Sequence, residues 1–311
     1  MGSIPTRSRH AWDRVRRAFV IVNPIAGRGR GARLARPIAE TFRDRGWDVE
    51  VRATRFAGEE RDLAEAGARA GWPLVVAAGG DGTVHGAANG LLRSGTPGTT
   101  LGVLGIGTGN DFARLVGAPP RVTRGVQALE RGQDRAFDVG QVDGEYFTNG
   151  FGVGFDTAVL TEMARLPGLR GSPLYVAAVY RAFLRYRAPT ITVAAPEQQA
   201  TGPAMLTEVA IGRTAGGGFK LTPDADPADG LFDVCMIRRV GLWRFLRYAP
   251  RVLAGTHAGL PPVTMFRTST VRLGTPGLPL VAHLDGELRR YDGEEVELRV
   301  VPRALRVRCA T

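Results

Sequence analysis

The chain has 311 residues, 44% of them apolar and 23% charged, which suits one large or two medium folded domains. No run approaches the roughly 18 apolar residues that span a bilayer. The arginines at 7, 9, 14, 16 and 17 lack the apolar stretch of a secretory signal, so a cytoplasmic location is the default expectation. Cys235 and Cys309 have no metal-type spacing and read as reduced thiols. The net charge of +11 favours anionic partners such as nucleotides and acidic lipid headgroups. Nucleic acid is the weaker choice and is not expected as a partner: there is no zinc-finger spacing, no aromatic RNA-binding motif and no concentrated basic helix with base-reading residues. Lys220 is the sole lysine, so the arginine excess reflects coding composition rather than arginine-specific chemistry.

The first half alternates strand and helix signals. Residues 18–22 read as a buried strand ending in Asn23-Pro24. A helix carrying Leu34, Ile38 and Phe42 follows, with Pro37 inside it. Trp47, Val49 and Val51 alternate as a half-buried strand, 59–70 is helical, and 73–78 is a second buried strand. It breaks into Gly79-Gly80-Asp81-Gly82-Thr83, a helix runs to about residue 92, and a strand at 101–105 opens a third glycine loop. This is the pattern of a parallel α/β sheet with helices on its faces. From about residue 136 the texture becomes β-rich. Asp143-Gly144 marks a hairpin turn, strands are expected near 191–195, 208–212, 231–237, 269–273, 280–284 and 296–300, and helices near 174–187 and 242–253.

Three glycine loops follow three strands: Asn23 to Gly27 with Gly29 and Gly31, Gly79 to Thr83, and Gly105-Ile106-Gly107-Thr108-Gly109-Asn110-Asp111. In a parallel sheet such loops gather at the carboxyl ends of the strands. Each leads into a helix N-terminus, where free N–H groups favour phosphate by about 0.3–1 kcal/mol. Walker A is absent, since Lys220 is in no Gly-Lys-Ser/Thr context. Gly105, Gly107 and Gly109 have the wrong spacing for a dinucleotide fingerprint, which disfavours a nicotinamide oxidoreductase.

Asn23-Pro24…Gly27, Gly79 to Thr83 and Gly107-Thr108-Gly109-Asn110-Asp111-Phe112-Ala113-Arg114 resemble the catalytic-domain motifs of the diacylglycerol kinase and sphingosine kinase family, and more specifically its soluble bacterial lipid kinases. Gly150-Phe151-Gly152-Val153-Gly154-Phe155-Asp156, Gly216-Gly217-Gly218, Asp229-Gly230-Leu231 and Asp285-Gly286-Glu287 follow in that family's order. The resemblance covers about residues 18–311.

The resemblance implies an α/β plus all-β fold. A three-layer α/β/α domain of the NAD kinase and phosphofructokinase type would span 18–135, after a basic tail at 1–17. A β-sandwich-like lipid-substrate domain would span 136–311, its last strand returning to the first domain, with the active site in the cleft between them. It implies ATP and Mg²⁺ as cofactors, with Asn23, Pro24, Gly27, Thr54, Gly79, Gly80, Asp81, Gly82, Thr83, Gly107, Thr108 and Asn110 at the nucleotide. Asp285 is implied as the base, Glu287 as a metal or positioning group, and Asp81 as the rival base. Asp156 would meet the lipid headgroup. Asp229, with the Leu231 region, would hold a structural metal, and Asp111 would link that network to the cleft. The expected reaction moves the γ-phosphate of ATP to a lipid hydroxyl, with diacylglycerol the leading acceptor. A sphingoid or other lipid kinase, an NAD kinase-like enzyme and a catalytically silent lipid-binding protein are the alternatives. A homodimer stays open.

Three local readings bear on this. Gly86 stands where many relatives carry a Glu, which leaves Thr83 without a capping-box partner and puts a glycine in the first helical turn. His85 reads as a helix-surface residue, and Asp143-Gly144-Glu145 as an ordinary turn. In 242–253, Leu242, Phe245, Leu246, Ala249, Val252 and Leu253 form a stripe beside Arg244, Arg247 and Arg251. It suits either core packing or a peripheral membrane contact with anionic phospholipid.

Overall fold

The structure, a computed structural model, describes residues 16–166 and 172–310. The arginines at 7, 9 and 14 lie outside the described residues. The first half runs β1 (Arg16–Val22), α1 (Ala26–Arg43), β2 (Trp47–Ala53), α2 (Glu59–Arg69), β3 (Leu74–Gly79), α3 (Asp81–Ser94), β4 (Thr100–Gly105), α4 (Asp111–Leu115) and α5 (Val122–Arg131). Strands β2, β1, β3 and β4 pair in parallel, in that order. Side chains alternate across this sheet as strand geometry demands. Ala18, Val20, Val22 and Val76 enter one core with Ile38 and Phe42 of α1. Phe19, Ile21, Val75 and Ala77 enter another with residues of α2 and α3. Two cores on opposite faces of one sheet make a three-layer α/β/α unit.

The second half contributes β5 (Gln133–Val142), β6 (Glu145–Phe147), β7 (Gly150–Gly154), α6 (Phe155–Ala164), α7 (Ser172–Arg185), β8 (Thr190–Ala194), β9 (Gln199–Ala210), β10 (Phe232–Arg238), α8 (Leu242–Ala254), β11 (Val263–Thr268), β12 (Thr270–Gly274), β13 (Val281–Leu284), β14 (Glu287–Arg290) and β15 (Glu295–Cys309). Asp143 and Gly144 both take positive φ, as a two-residue hairpin requires. Phe147, Phe151, Val209, Phe232, Leu273 and Leu298 fill a β-sandwich-like core. Helices α6, α7 and α8 cover a smaller cluster around Phe155, Met205 and Cys235.

Strand pairing is continuous across the molecule, in the order β14-β13-β7-β9-β8-β12-β15-β4-β3-β1-β2. The long strand β15 pairs with β12, antiparallel along β5, and meets β4 at Val307 and Leu101. The carboxyl edge of the parallel sheet faces the β-rich half, where His85 of α3 meets Asp285 and Asp111 of α4 meets Gly217.

Candidate active site

The three glycine loops meet at that edge. The N–H groups of Ile106 and Gly107 donate to the Gly79 carbonyl at 2.8 and 3.1 Å, which joins the second and third loops. Asn23 Nδ2 donates to Thr83 Oγ1 at 3.1 Å, and Asn23 Oδ1 accepts the Ile25 N–H, which joins the first. Thr54 is buried after β2, its N–H bonded to the Val22 carbonyl. Asn110 takes a left-handed conformation and donates Nδ2 to the Gly107 carbonyl, while its buried Oδ1 accepts nothing among the described residues. Its candidate nucleotide role fits that spare acceptor.

Two acids occupy contrasting positions. Asp81 starts α3. It accepts the Phe112 N–H at 3.1 Å and turns Oδ2 toward Gly109, 2.6 Å from where a Cβ there would sit. Burial and the negative charge of Asp111 raise its carboxyl to about 6, against the pull of the Phe112 amide. Asp285, after β13 at a positive φ, is surrounded by donors. It accepts the N–H groups of Thr148, Asn149 and Gly150, the Thr148 hydroxyl at 3.2 Å, and His85 Nδ1 at 2.9 Å. Burial alone would raise its pKa, but the His85 bond and charge with these amides hold it below the usual carboxylate range.

His85 is buried rather than on the surface of its helix, because the β5–β6 hairpin lies over it. Asn89 fixes that hairpin, donating to the Tyr146 carbonyl and accepting its N–H at 2.8 and 2.9 Å. Glu145, read as part of a turn, thereby reaches His85 Nε2 at 3.0 Å and also takes Arg61 and Arg289. Burial opposes protonation of His85, but hydrogen bonds to Asp285 and Glu145 prevail and carry it to about 9. The His85 bond, with help from Arg289, pushes Glu145 well below its ordinary value.

The space beside Gly86 is filled from α2. A Cβ at Gly86 would lie 2.6 Å from Glu60 Oε1, so the absence of a side chain there admits a carboxylate from the neighbouring helix. Glu287 lies over the second loop, its carboxyl carbon 3.3 Å from the Cβ position of Gly82.

The other candidates fall in different places. Asp111 joins Asp81, accepting the Gly217 N–H at 2.7 Å and Arg114 at 2.8 Å. Asp229 instead accepts the Leu231 N–H at 3.0 Å and faces Arg267. Among the described residues Asp111 and Asp229 share no hydrogen-bond or ion-pair partner, and one Asp229 oxygen accepts the Leu231 amide. Asp156 lies at the start of α6, where His283 Nε2 approaches it at 2.8 Å.

Glycine loops gathered at a sheet edge, faced by acids from a β-sandwich-like half, suit a phosphotransferase built on the NAD kinase-like plan. The diacylglycerol kinase catalytic domain matches residues 17–142, and the YegS C-terminal NAD kinase beta sandwich-like domain matches 150–309. The chain is 30% identical over 275 residues to a diacylglycerol kinase of Bacillus subtilis (strain 168), covering 88% of this chain and 90% of that one. It is 32% identical over 275 residues to a "Probable lipid kinase YegS-like" of Pseudomonas savastanoi pv. phaseolicola, covering 85% of each. The crystal structure of a diacylglycerol kinase from Bacillus anthracis str. Sterne has the same fold, with a TM-score of 0.71 at 20% identity over 95% of this chain and 97% of the other. The chain belongs to the diacylglycerol kinase and YegS-like lipid kinase family. It is accordingly a kinase, and membership implies ATP use.

Proposed function

We propose that the protein transfers the γ-phosphate of ATP to the free hydroxyl of diacylglycerol. The observation that carries this reading is the position of Asp81, an acid raised to about 6 within the glycine loops. A group with that pKa is ionised at neutral pH yet able to take a proton, a contribution worth about 10²–10⁴-fold. Asp285 was the first expectation for the base. Its oxygens already meet five donor groups, more than the roughly four acceptor sites of a carboxylate, which supports a framework role instead.

The residues present fit Mg²⁺. The Glu287 side chain makes no hydrogen bond or ion pair among the described residues and lies over the loop that would carry the phosphates. Mg²⁺ is commonly held by one or two carboxylates plus substrate phosphates. Bound there it would neutralise charge on the transferring phosphoryl group. The loop amides orient the phosphates, and Asp81 accepts the proton of the acceptor hydroxyl.

Access to the lipid is supported by the face made by α7 and α8. Helix α8 buries none of its residues, and Trp243 is 82% exposed. Leu246, Leu253, Tyr180 and Leu184 are exposed as well, beside Arg244, Arg247 and Arg251. Phe183 and Phe245 hold the two helices together with ring centroids 5.0 Å apart. No helix among the described residues is long and apolar enough to cross a membrane. Interfacial contact with anionic lipid is the reading this face favours, each arginine adding about 1 kcal/mol.

The test is ADP release with diacylglycerol, monoacylglycerol, sphingosine or NAD as acceptor, on anionic and neutral vesicles. Turnover is expected with diacylglycerol, faster on anionic vesicles at low salt. Turnover confined to sphingosine or NAD would overturn the substrate assignment, and salt-independent partitioning would overturn the electrostatic contact.

A further inference from the structure

One rung of the β-rich half carries a set of side chains that the phosphoryl-transfer reading does not use. In the pairing of β13, β7 and β9, Gly152 lies directly between His283 on one side and Glu208 on the other. Asp156 reaches the same place from the first turn of α6. Their donor atoms, one imidazole nitrogen and two carboxylate oxygens, all lie within 4.8 Å of one another. They also converge. A Cβ built on Gly152 would collide at once with His283 Nε2, Asp156 Oδ2 and Glu208 Oε2. A Cβ on Gly150 would strike the other Glu208 oxygen. The missing side chains of Gly150 and Gly152, in alternate positions of β7, therefore let the three ligand-bearing side chains crowd together over the strand.

Glu208 supplies an independent sign. It is 1% exposed, in the middle of a sheet, and neither carboxylate oxygen has a hydrogen-bond partner among the described residues. His283 Nε2 stands 3.6 Å from it, beyond hydrogen-bond range, because that nitrogen is committed to Asp156 at 2.8 Å. A buried carboxylate costs several kcal/mol unless a cation or donors meet it. Burial raises Glu208 to about 8 in the absence of such a partner. The nearby His283 offsets that charge only in part, while Asp156, Asp285 and Asp111 add to the negative field on it.

We propose that Asp156, Glu208 and His283 form a binding site for a divalent first-row transition ion of the Mn²⁺, Co²⁺ or Zn²⁺ class, separate from the nucleotide's Mg²⁺. One imidazole among the ligands selects such ions over Mg²⁺ and Ca²⁺, which prefer all-oxygen sites. Binding replaces the Nε2–H to Oδ2 hydrogen bond. The ring ligates through neutral Nε2 with its proton on Nδ1, and any proton held by Nε2 or Glu208 leaves to solvent. The long 3.4 Å approach of the Gly286 N–H to Nδ1 is too weak to lock the opposite tautomer. The ion would fasten β13, β7, β9 and α6 at the rung next to Asp285, and Asp156 would serve the ion rather than touch the lipid directly.

The test needs no turnover, so its outcome is independent of the lipid-kinase reading. Full-length protein stripped with EDTA is titrated with Co²⁺ alone, followed by calorimetry and by visible absorption. One equivalent is expected to bind with ligand-field bands of mixed nitrogen and oxygen ligation, and excess Mg²⁺ should not displace it. The variants E208Q and H283Q, matched in size and checked by thermal unfolding without metal, should each weaken binding by about a hundredfold or more. D229N should bind as the wild type does. Absence of Co²⁺ binding, binding unchanged in both E208Q and H283Q, displacement by Mg²⁺, or loss of binding in D229N would each overturn the proposal.

Discussion

Asp81 and Asp285 face the same cleft from opposite halves of the molecule, and their surroundings push them in opposite directions. Asp81 sits among glycines at a helix start with a second acid nearby, and its carboxyl rises to about 6. Asp285 is deeper, yet an imidazolium and a run of backbone amides keep it ionised. Burial is common to both, so the difference comes from the sign of the nearest charge and the number of donors each carboxylate receives. An acid short of donors can exchange a proton, whereas one saturated with them holds neighbouring segments in place.

The sharpest way to break this contrast is D81N. Turnover should fall by about 10²–10⁴-fold with nucleotide binding retained. Wild-type kcat/KM should fall as pH drops through about 6, and D285N, though slower, should keep that acid limb. Loss of the limb in D285N would return the base role to Asp285. Stability gives a second readout. An acid whose pKa is raised by folding destabilises the native state once ionised, so D81N should raise the Tm above about pH 6 and lose that advantage below about pH 4.

The next effect concerns the donors of Asp285. Removing His85 in H85A leaves two carboxylates without their shared cation, at a cost of about 3–5 kcal/mol. His85 is raised to about 9 in the folded state. Its stabilisation is therefore complete below the unfolded value of about 6.5 and lost as pH rises through about 9. The Tm gap between wild type and H85A should close over that window, and a constant gap would remove the ionic part of the contrast. A smaller effect is expected at Gly86, where G86A crowds Glu60 and should cost about 1–3 kcal/mol, relieved in G86A/E60A. Least of all, E287Q should raise the Mg²⁺ needed for half-maximal turnover about tenfold, or 1.4 kcal/mol. Unchanged Mg²⁺ dependence would free Glu287 of its role.

What was legible in the chain was whatever neighbouring residues build between themselves. The loops at Asn23, Gly79 and Gly105 are local strand-to-helix turns, so motif and position could be read together, and the Asp143-Gly144 hairpin followed from its dipeptide. The partners of His85 could not be read this way. Its bonds run to Asp285 and Glu145, 200 and 60 residues away, and the hairpin that buries it arrives only with β5 and β6. Glu145 offered no signal because an Asp-Gly-Glu turn looks the same whether or not it docks. Glu208 sits within a strand beside apolar residues, and its significance depends on a register with Gly152 that no local pattern contains. Gly86 was legible as a departure, but not that Glu60 would fill the space. Strands at 263–268 and 287–290 and the helix at 155–164 were likewise missed. Their patterns are short or surround a motif that drew a different reading.

Strand β15 bears on how the two halves come to exist at all. Residues 299–309 pair along 133–141, and the same strand holds β12 and touches β4. The first half thus keeps an open sheet edge along β4, and β5 has only β6 beside it, until the segment at 295–309 has been synthesised. Loop closure over that separation is slow, so both halves would mature together, late, as one cooperative unit. A cut between residues 135 and 145 would then yield two fragments that complete each other, rather than a nucleotide module and a lipid module that work alone.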